Sequence, residues 1–416
     1  MVKNNSFFKN IILLASGSIV AQLFNVLGAP IITRIYDVET IGIYSYIITL
    51  VGSCTAIVNL RYDLAIVSER EEERVFPIVK LSFFIGIIFS LILTIVFGIY
   101  AFWFNRELNI TTDIMFFFLL LLVSNAVLNI LTSYNNRMKE YKDMTIAGIS
   151  RTSSQNIGGI ILGYVNCSTI SLLIPYAIGQ FLAIKKQSSS ICKCLDSIWK
   201  CDYDMMIVAL KDHKKMALLS TPAMMANSFS YAAITIFIEL LFGMVVVGYY
   251  SLSTRVLGLP LTLISGNVGK VFFQEAQSEY AKTRGFRKSF KKTSCLLFIL
   301  SIPIGIVMYC IAPTACMYFF GGEWLVAGEY IRILTPFFIC RFIGTSLSPG
   351  LLVCNKQQLE LLFQFLLLCA AVCAYLLTLN TELSVSVFLW NVSIANSVVY
   401  LLLIYFVWHS SRGETC

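Results

Sequence analysis

The sequence predicts an all-α polytopic membrane protein with about twelve membrane-spanning helices arranged as two six-helix bundles. Composition, the length of its apolar runs and the placement of its basic residues predict this. Of the 416 residues, 57% are hydrophobic and only 13% are charged, against about 25% charged in a soluble domain. That excludes a soluble enzyme, a disordered chain and a secreted disulfide scaffold.

The apolar runs set the class. Asn10–Thr33, Thr40–Leu60, Leu81–Asn105, Ile114–Asn136, Thr152–Ile184, Met216–Ile238, Thr293–Gly322, Leu361–Thr381 and Leu383–Ser411 contain no Asp, Glu, Lys or Arg. A spanning helix needs about 20 residues at 1.5 Å each, and a β-barrel would show short alternating segments instead. The expected spans are 11–32, 43–60, 79–104, 114–134, 144–165, 168–184, 216–241, 245–267, 293–319, 330–353, 359–379 and 383–408. The fifth and sixth share one run, broken at Val165–Ser168. The first follows Lys3 and Lys9 as a signal peptide would, but it is too long and lacks an A-x-A-like site, so it reads as a retained helix.

Charge fixes the expected orientation. With both termini inside, the inner segments 1–10, 61–80, 135–143, 185–215, 269–292, 354–358 and 409–416 hold 25 of the 31 Lys and Arg residues. The outer loops hold Arg34 and Arg106, and Arg151, Arg255, Arg332 and Arg341 fall inside or at the edge of spans. Basic residues favour the cytoplasmic side. Residues 1–184 then form one lobe, 185–215 a cytoplasmic linker and 216–416 a second lobe. The net charge of +8 suits anionic lipid and needs no nucleic acid. Residues 61–80 and 274–292 read as amphipathic helix ends on the lipid surface.

Thirteen cysteines imply no disulfide framework. Cys54, Cys310, Cys316, Cys340, Cys369 and Cys373 lie in apolar segments as small hydrophobes. Cys192, Cys194 and Cys201 match no zinc spacing, so no metal or cofactor is expected.

A weak internal repeat supports two parallel halves. Gly42–Ile43–Tyr44–Ser45 opens the second span and Gly248–Tyr249–Tyr250–Ser251 the eighth, 206 residues later. The fourth span ends in Ser133–Lys139 and the tenth, more loosely, in Val353–Lys356.

A resemblance enters with Ala15–Ser16–Gly17, Ala21–Gln22, Pro30–Tyr36, Ile41–Tyr44 and Leu60–Ile66, and continues through Gly248–Tyr250, Arg255 and Pro260. This pattern resembles the Wzx-type oligosaccharide flippases of the multidrug/oligosaccharidyl-lipid/polysaccharide exporter superfamily. The resemblance implies two six-helix lobes around a central cavity. It also implies movement of undecaprenyl-diphosphate-linked oligosaccharide across a bacterial inner membrane for O-antigen or another surface polysaccharide. Implied partners are that lipid-linked oligosaccharide, membrane lipid and the polysaccharide polymerase and chain-length machinery.

A charge at the bilayer centre costs about 2.5–3.5 kcal/mol on insertion scales, so intramembrane arginines should face a cavity or a partner. Arg34, Arg61, Arg151, Arg255 and Arg341 are the candidate cavity residues. A guanidinium offers paired donors to phosphate oxygens. Arg34, Arg61 and Arg151 have a competing reading as snorkelling side chains, and Arg255 and Arg341 as buried ion pairs. Arg332 reads as interfacial. Glu239 is the ion-coupling candidate, with a static ion pair as the alternative. Breaks at Pro30, Pro222, Pro260, Pro303, Pro313, Pro336 and Pro349 suit hinges in a transporter.

Catalysis has little support. His213 and His409 both lie in polar segments, and no phosphate-cradling loop or H-E-x-x-H motif occurs. The chain is expected not to be an enzyme. A drug exporter of the same superfamily, and a membrane-embedded polysaccharide-assembly enzyme, are the competing readings.

Overall fold

Hydrocarbon offers a peptide group no hydrogen-bonding partner, so each apolar run must close its own backbone bonds as a helix. The computed structural model describes residues 2–69, 71–105, 110–214, 216–354, 356–381 and 383–412, with the side chains of 2–15, 104, 219, 223 and 357 outside that description. Arg106 therefore falls outside the described residues. No strand occurs among them.

The chain divides into two compact units, Met1–Ser228 and Phe229–Cys416. The first contains α1 (Val2–Ile35), α2 (Val38–Thr55), α3 (Tyr62–Ser68), α4 (Glu72–Ile99, extended by a π turn Tyr100–Phe104) and α5 (Thr112–Met138). Then come α6 (Tyr141–Val165), α7 (Thr169–Gln187), α8 (Leu195–Lys200) and α9 (Tyr203–Asp212). The boundary falls within α10 (Thr221–Phe242). The second unit continues with α11 (Met244–Pro260), a π turn Leu261–Ser265, α12 (Gly266–Thr283), α13 (Arg287–Cys310) and α14 (Ala312–Phe320). It ends with α15 (Leu325–Leu347), α16 (Pro349–Val353), α17 (Gln357–Thr381) and α18 (Val385–Ser411). Among the described residues, ten runs are long and apolar enough to cross a membrane. The helices α6 and α7 complete the expected twelve. Their hydropathy is lowered by the polar run Ser150–Asn156 in one and by Lys185 and Lys186 in the other.

In the first unit, α1 and α6 run parallel in one register. Gly17 faces Thr145, Gly28 faces Asn156 and Ile35 faces Gly163, always 128 residues apart. The approach is close: a Cβ on Gly28 would lie 2.3 Å from Asn156 Oδ1. Tyr36 closes the pair, its hydroxyl donating to the Gly159 carbonyl at 2.8 Å.

The second span differs from expectation. It was predicted to reach residue 60, but α2 stops at Thr55 and a turn follows, with Leu60 and Arg61 at φ 47° and 64°. The cause is buried Asn59. Its Nδ2 donates to the Ser82 carbonyl at 3.2 Å and to the Ala126 carbonyl at 3.3 Å, tying the turn to α4 and α5. Asn129 Nδ2 donates back to Asn59 Oδ1 at 3.1 Å. The side chain offers the backbone an alternative to helix.

Residues 185–215, expected as a linker, pack into the first unit. Ile191, Ile198, Met206 and Ala209 join one buried cluster with Ile66, Val75, Ile78, Ile130 and Tyr134. Lys80 of α4 is buried, and its Nζ donates to the Trp199 carbonyl at 3.0 Å and the Cys201 carbonyl at 2.7 Å.

In the second unit α15 packs against α11, α13 and α18. Phe272, Phe286, Phe290, Phe342, Leu351 and Val407 fill its core at one end. Ser253 Oγ donates to the Ala327 carbonyl at 2.8 Å, fixing α11 against α15. The eighth span, predicted to end at residue 267, continues through the π turn as a 40-residue run to Thr283. At 1.5 Å per residue it is about 60 Å long, twice the hydrocarbon thickness, so its end stands outside the membrane. The segment 274–292 is accordingly two helix ends, α12 and α13, joined through a left-handed Arg284. Glu279 accepts from the backbone N–H of Ser289 at 2.8 Å across this turn. The helices α2 and α11 begin 206 residues apart, and Gly42 and Gly248 are each the fifth residue of their helix.

Packing of α7 on α6 yields a prediction. A Cβ on Gly179 would lie 2.7 Å from the Arg151 carbonyl oxygen, a backbone atom that cannot rotate away. Gly148 of α6 has open space at the same distance. Gly179→Ala should lower stability by about 1–3 kcal/mol through overpacking, whereas Gly148→Ala should be neutral or stabilising. Thermal melts in detergent check both; equal midpoints would show that α6 and α7 separate without cost.

Candidate functional site

The candidate arginines fall into different settings. In the first unit, buried Asn156 of α6 donates to Asn25 Oδ1 at 3.0 Å, and Asn25 donates to Gln22 Oε1 at 3.5 Å. A polar strip thus runs along facing sides of α1 and α6. The 128-residue register puts Arg151 level with Leu23, beside Gln22. Arg34 follows 11 residues on, about 17 Å along the helix axis. Arg34 is exposed and held by neighbours, whereas Arg151 is half-buried. The Nε of Arg151 is shielded from solvent and makes no hydrogen bond.

Arg61 occupies the left-handed turn before α3. It is half-buried, and its Nε is likewise shielded and unbonded. A non-glycine residue at positive φ persists only where its surroundings enforce it, here through the Asn59 bonds. Asp63 is buried beside it. Burial pushes the Asp63 carboxyl above its ordinary range, and the Arg61 charge opposes that shift. Leu128, Ala147 and Ala183 pack together. Ala147 is one turn before Arg151, and Leu128 is two residues after the carbonyl that Asn59 holds. Arg61 and Arg151 therefore lie at neighbouring depths, with Arg34 towards the opposite end.

Arg137 was not singled out by sequence. Its Nη1 donates to the carbonyl of Ile66 at 3.1 Å and also to that of Glu69, capping α3. Glu69 in turn meets His213 Nε2 at 3.3 Å.

In the second unit Arg341 of α15 lies over the Tyr231 ring at 4.3 Å and near Phe338 at 5.5 Å. Tyr231 and Tyr400 share a hydroxyl–hydroxyl bond of 2.9 Å. This cluster holds the guanidinium by its π-face, and its Nε is a third shielded, unbonded donor. The sequence marked Arg341 but not the two tyrosines, which stand 169 residues apart. Arg255 of α11 is instead exposed, away from the core of its own unit, and has neighbours of its own. Arg332 is fixed at the surface, with Nε donating to the Tyr309 carbonyl at 2.9 Å and Nη1 3.2 Å from Glu329.

Glu239 is buried in α10. Its level follows from two pairings, Tyr231 with Tyr400 and Phe242 with Phe388, the latter at 5.7 Å. The helices α10 and α18 are therefore antiparallel, and Glu239 lies level with the stretch just before Ser393. Ser393 and Asn396 are both buried, and Ser393 Oγ and Asn396 Oδ1 make no hydrogen bond. The carboxylate thus shares its depth with further oxygen acceptors. Among the described residues no group of His, Cys, Asp and Glu has metal-site geometry.

Known structures share this fold. The chain is similar to an inward-facing multidrug resistance MATE family transporter of the MOP superfamily, at 12% identity over 93% of each chain and TM-score 0.72. It is similar to the lipid II flippase MurJ in an inward closed conformation, at 15% identity over 94% of this chain and 87% of that one, with TM-score 0.72. A MOP superfamily transporter from Pyrococcus furiosus, described as having a binding pocket of reverse polarity, matches at 13% identity over 96% and 94% with TM-score 0.54. Identities this low show the fold. No curated protein matches the chain. Residues 31–329 match the family model described as polysaccharide biosynthesis protein. Spanning most of the chain, that match makes it a member of the polysaccharide biosynthesis protein family.

Proposed function

We propose that this chain is a flippase for lipid-linked oligosaccharide, moving an undecaprenyl-diphosphate-linked repeat unit between leaflets of a bacterial inner membrane by alternating access. The surface polysaccharide so assembled would be O-antigen or a related polymer, with polymerase and chain-length machinery downstream. The observation that carries this reading is chemical. Arg61, Arg151 and Arg341 each hold an Nε shielded from water and bonded to nothing. A desolvated donor on a permanent cation is expensive to leave unmade, and a diphosphate supplies the oxygens that would satisfy it. The amides of Gln22, Asn25 and Asn156 offer the mixed donors and acceptors that sugar hydroxyls need. Arg34 and Arg255, both exposed, fit entry and exit of the head group.

Membership of the family and likeness to a flippase support transport rather than catalysis. A drug exporter would want acidic residues for cationic cargo, and the arginines disfavour it. Glu239 is the coupling residue on this reading: a buried carboxylate level with free acceptor oxygens can take up and release a proton or sodium ion.

Three outcomes are expected. Arg151→Gln and Arg341→Gln each remove charge-assisted bonds worth roughly 1.5–3 kcal/mol, so head-group binding should weaken about ten- to hundred-fold. Lys at either site should restore part of the activity, because charge returns without the bidentate fork. Complementation of surface polysaccharide in a deletion strain, with membrane abundance measured alongside, reads this; full activity of every variant would sink the cargo-binding role. Secondly, Glu239→Gln should abolish the acceleration of flipping by an imposed proton or sodium gradient in vesicles while leaving substrate binding intact. A variant still driven by the gradient would place coupling elsewhere. Thirdly, both termini are cytoplasmic, so reporter fusions at residues 200 and 285 should read cytoplasmic and one at 167 periplasmic. The opposite readout would invert the direction of transport.

A further inference from the structure

The segment 185–215 joins the first unit at one place on α4, and that place sets its depth. Lys80 Nζ holds the carbonyls of Trp199 and Cys201 at 3.0 and 2.7 Å, and the Trp199 ring meets Phe83 and Phe84 edge-on at 5.9 and 6.1 Å. The end of α8 therefore lies where the apolar run of α4 begins at Leu81. At the far end of α9, Asp212 Oδ2 is 3.5 Å from Arg74 Nη1 and His213 pairs with Glu69. Between Lys80 and Arg74 the chain of α4 advances six residues, about 9 Å. The helix α9 thus descends obliquely over a distance matching the 5–10 Å depth at which in-plane amphipathic helices rest.

Met206 and Ala209 of α9 are buried against the first unit. Asp204 and Asp212 share another side with exposed Met205 and Val208, and together these line a cavity against α4. Tyr203, Ile207 and Leu210, at the i, i+4, i+7 spacing of one helix face, are 72%, 50% and 43% exposed, and Trp199 just before them is 52% exposed. A tryptophan and a tyrosine at the start of the run suit the headgroup boundary. Exposed Lys193, Lys200, Lys211 and Lys214 are matched in number by exposed Asp196, Asp202, Asp204 and Asp212, so the elbow carries no net charge of its own.

We infer that the α8–α9 elbow is an interfacial anchor, with Trp199, Tyr203, Ile207 and Leu210 seated in the lipid boundary. The occupant of this face is lipid, by the depth that Lys80 imposes and by the tryptophan and tyrosine placed at that depth. A soluble partner would have to displace the membrane from a face that begins at the level of a spanning helix. The buried Lys80 is then a rivet: it spends three donors on two carbonyls and the ring of Tyr203, 5.1 Å away, to pin the elbow at that depth. The inference stands apart from the proposed transport function, since it concerns lipid contact alone.

The test places a diazirine amino acid singly at Tyr203, Ile207, Leu210 and Asp204 of the full-length chain, reconstituted in phosphatidylethanolamine vesicles containing phosphatidylglycerol. Ile95, exposed near the middle of the apolar run Leu81–Asn105, gives the positive control that shows each preparation is folded and embedded. Lipid adducts are expected at Tyr203, Ile207 and Leu210, decreasing in that order as the helix descends, with background labelling at Asp204. Adducts at Tyr203 and Ile207 no greater than at Asp204, or adducts to protein instead of lipid, would overturn the anchor.

Discussion

The membrane interior withholds hydrogen bonds, and each part of this structure answers that deficit in its own way. The backbone answers it with helices. Small hydroxyls answer it by folding back onto their own helix: Thr49, Ser90, Thr335 and Ser397 each donate to the carbonyl four residues earlier. Amides answer it across helices. Asn59 ties α4 and α5, and Gln180 of α7 donates to Asn125 of α5 at 3.2 Å. Lys80 answers it with two carbonyls and a ring. Some groups are left over: the Thr221 and Ser393 hydroxyls and several amide oxygens make no hydrogen bond, and neither do the shielded Nε atoms of Arg61, Arg151 and Arg341. Among these only the three arginines carry a permanent charge.

Two of the three are held in position by neighbours that do not neutralise them. Tyr231 and Phe338 present π-faces to Arg341. A π-face attracts the cation without competing for its in-plane donors, of which the Nε is unbonded. The Asn59 turn fixes the backbone of Arg61 in a conformation that an arginine adopts rarely. A buried carboxylate would have been cheaper for folding and would have quenched the charge. Asp63 comes nearest to that; burial pushes its carboxyl above its ordinary range, against the pull of the Arg61 charge. Such preorganisation puts the cost of desolvating the cation into folding rather than into each binding event.

Much of the architecture was legible because hydropathy and basic-residue placement act over whole segments. Single misassignments at Thr55 or Thr283 do not disturb a pattern summed over twenty residues. The repeat was legible for a related reason: Gly42 and Gly248 hold the same place in helices whose starts are 206 residues apart. What escaped the sequence depends on pairs far apart in the chain. Nothing near Tyr231 announces Tyr400, and nothing near Lys80 announces the carbonyls of Trp199 and Cys201. The segment 185–215 reads as a loop because its longest apolar run, Met205–Leu210, is far too short to span a membrane and is flanked by Asp and Lys. Only the packed surface of α3, α4 and α5 turns Ile198, Met206 and Ala209 into core. The end of α2 was misjudged because an asparagine in an apolar run carries no mark of whether its amide will serve its own helix or its neighbours.

The two halves share their opening geometry and then diverge, and the divergence bears on the proposed mechanism. After α2 the first unit makes a fixed turn, pinned by Asn59 to two other helices. At the corresponding point after α11 the second unit carries Pro260 and a π turn, Leu261–Ser265, before running on as α12. A π turn loosens the regular backbone ladder and is frequent at functional sites. Beside it, Pro260 and Leu261 line a small apolar void of about 20 Å³ with Gly305 and Phe342. Close-packed interiors resist gradual deformation, so a void beside an irregular turn is where a helix has room to change its bend. Buried Glu239 belongs to this second unit, while three of the five candidate arginines belong to the half whose turn is pinned. On the proposed transport reading, the coupling carboxylate would therefore sit in the half whose eighth span bends at Pro260, apart in sequence from most of the arginines that would meet the anion.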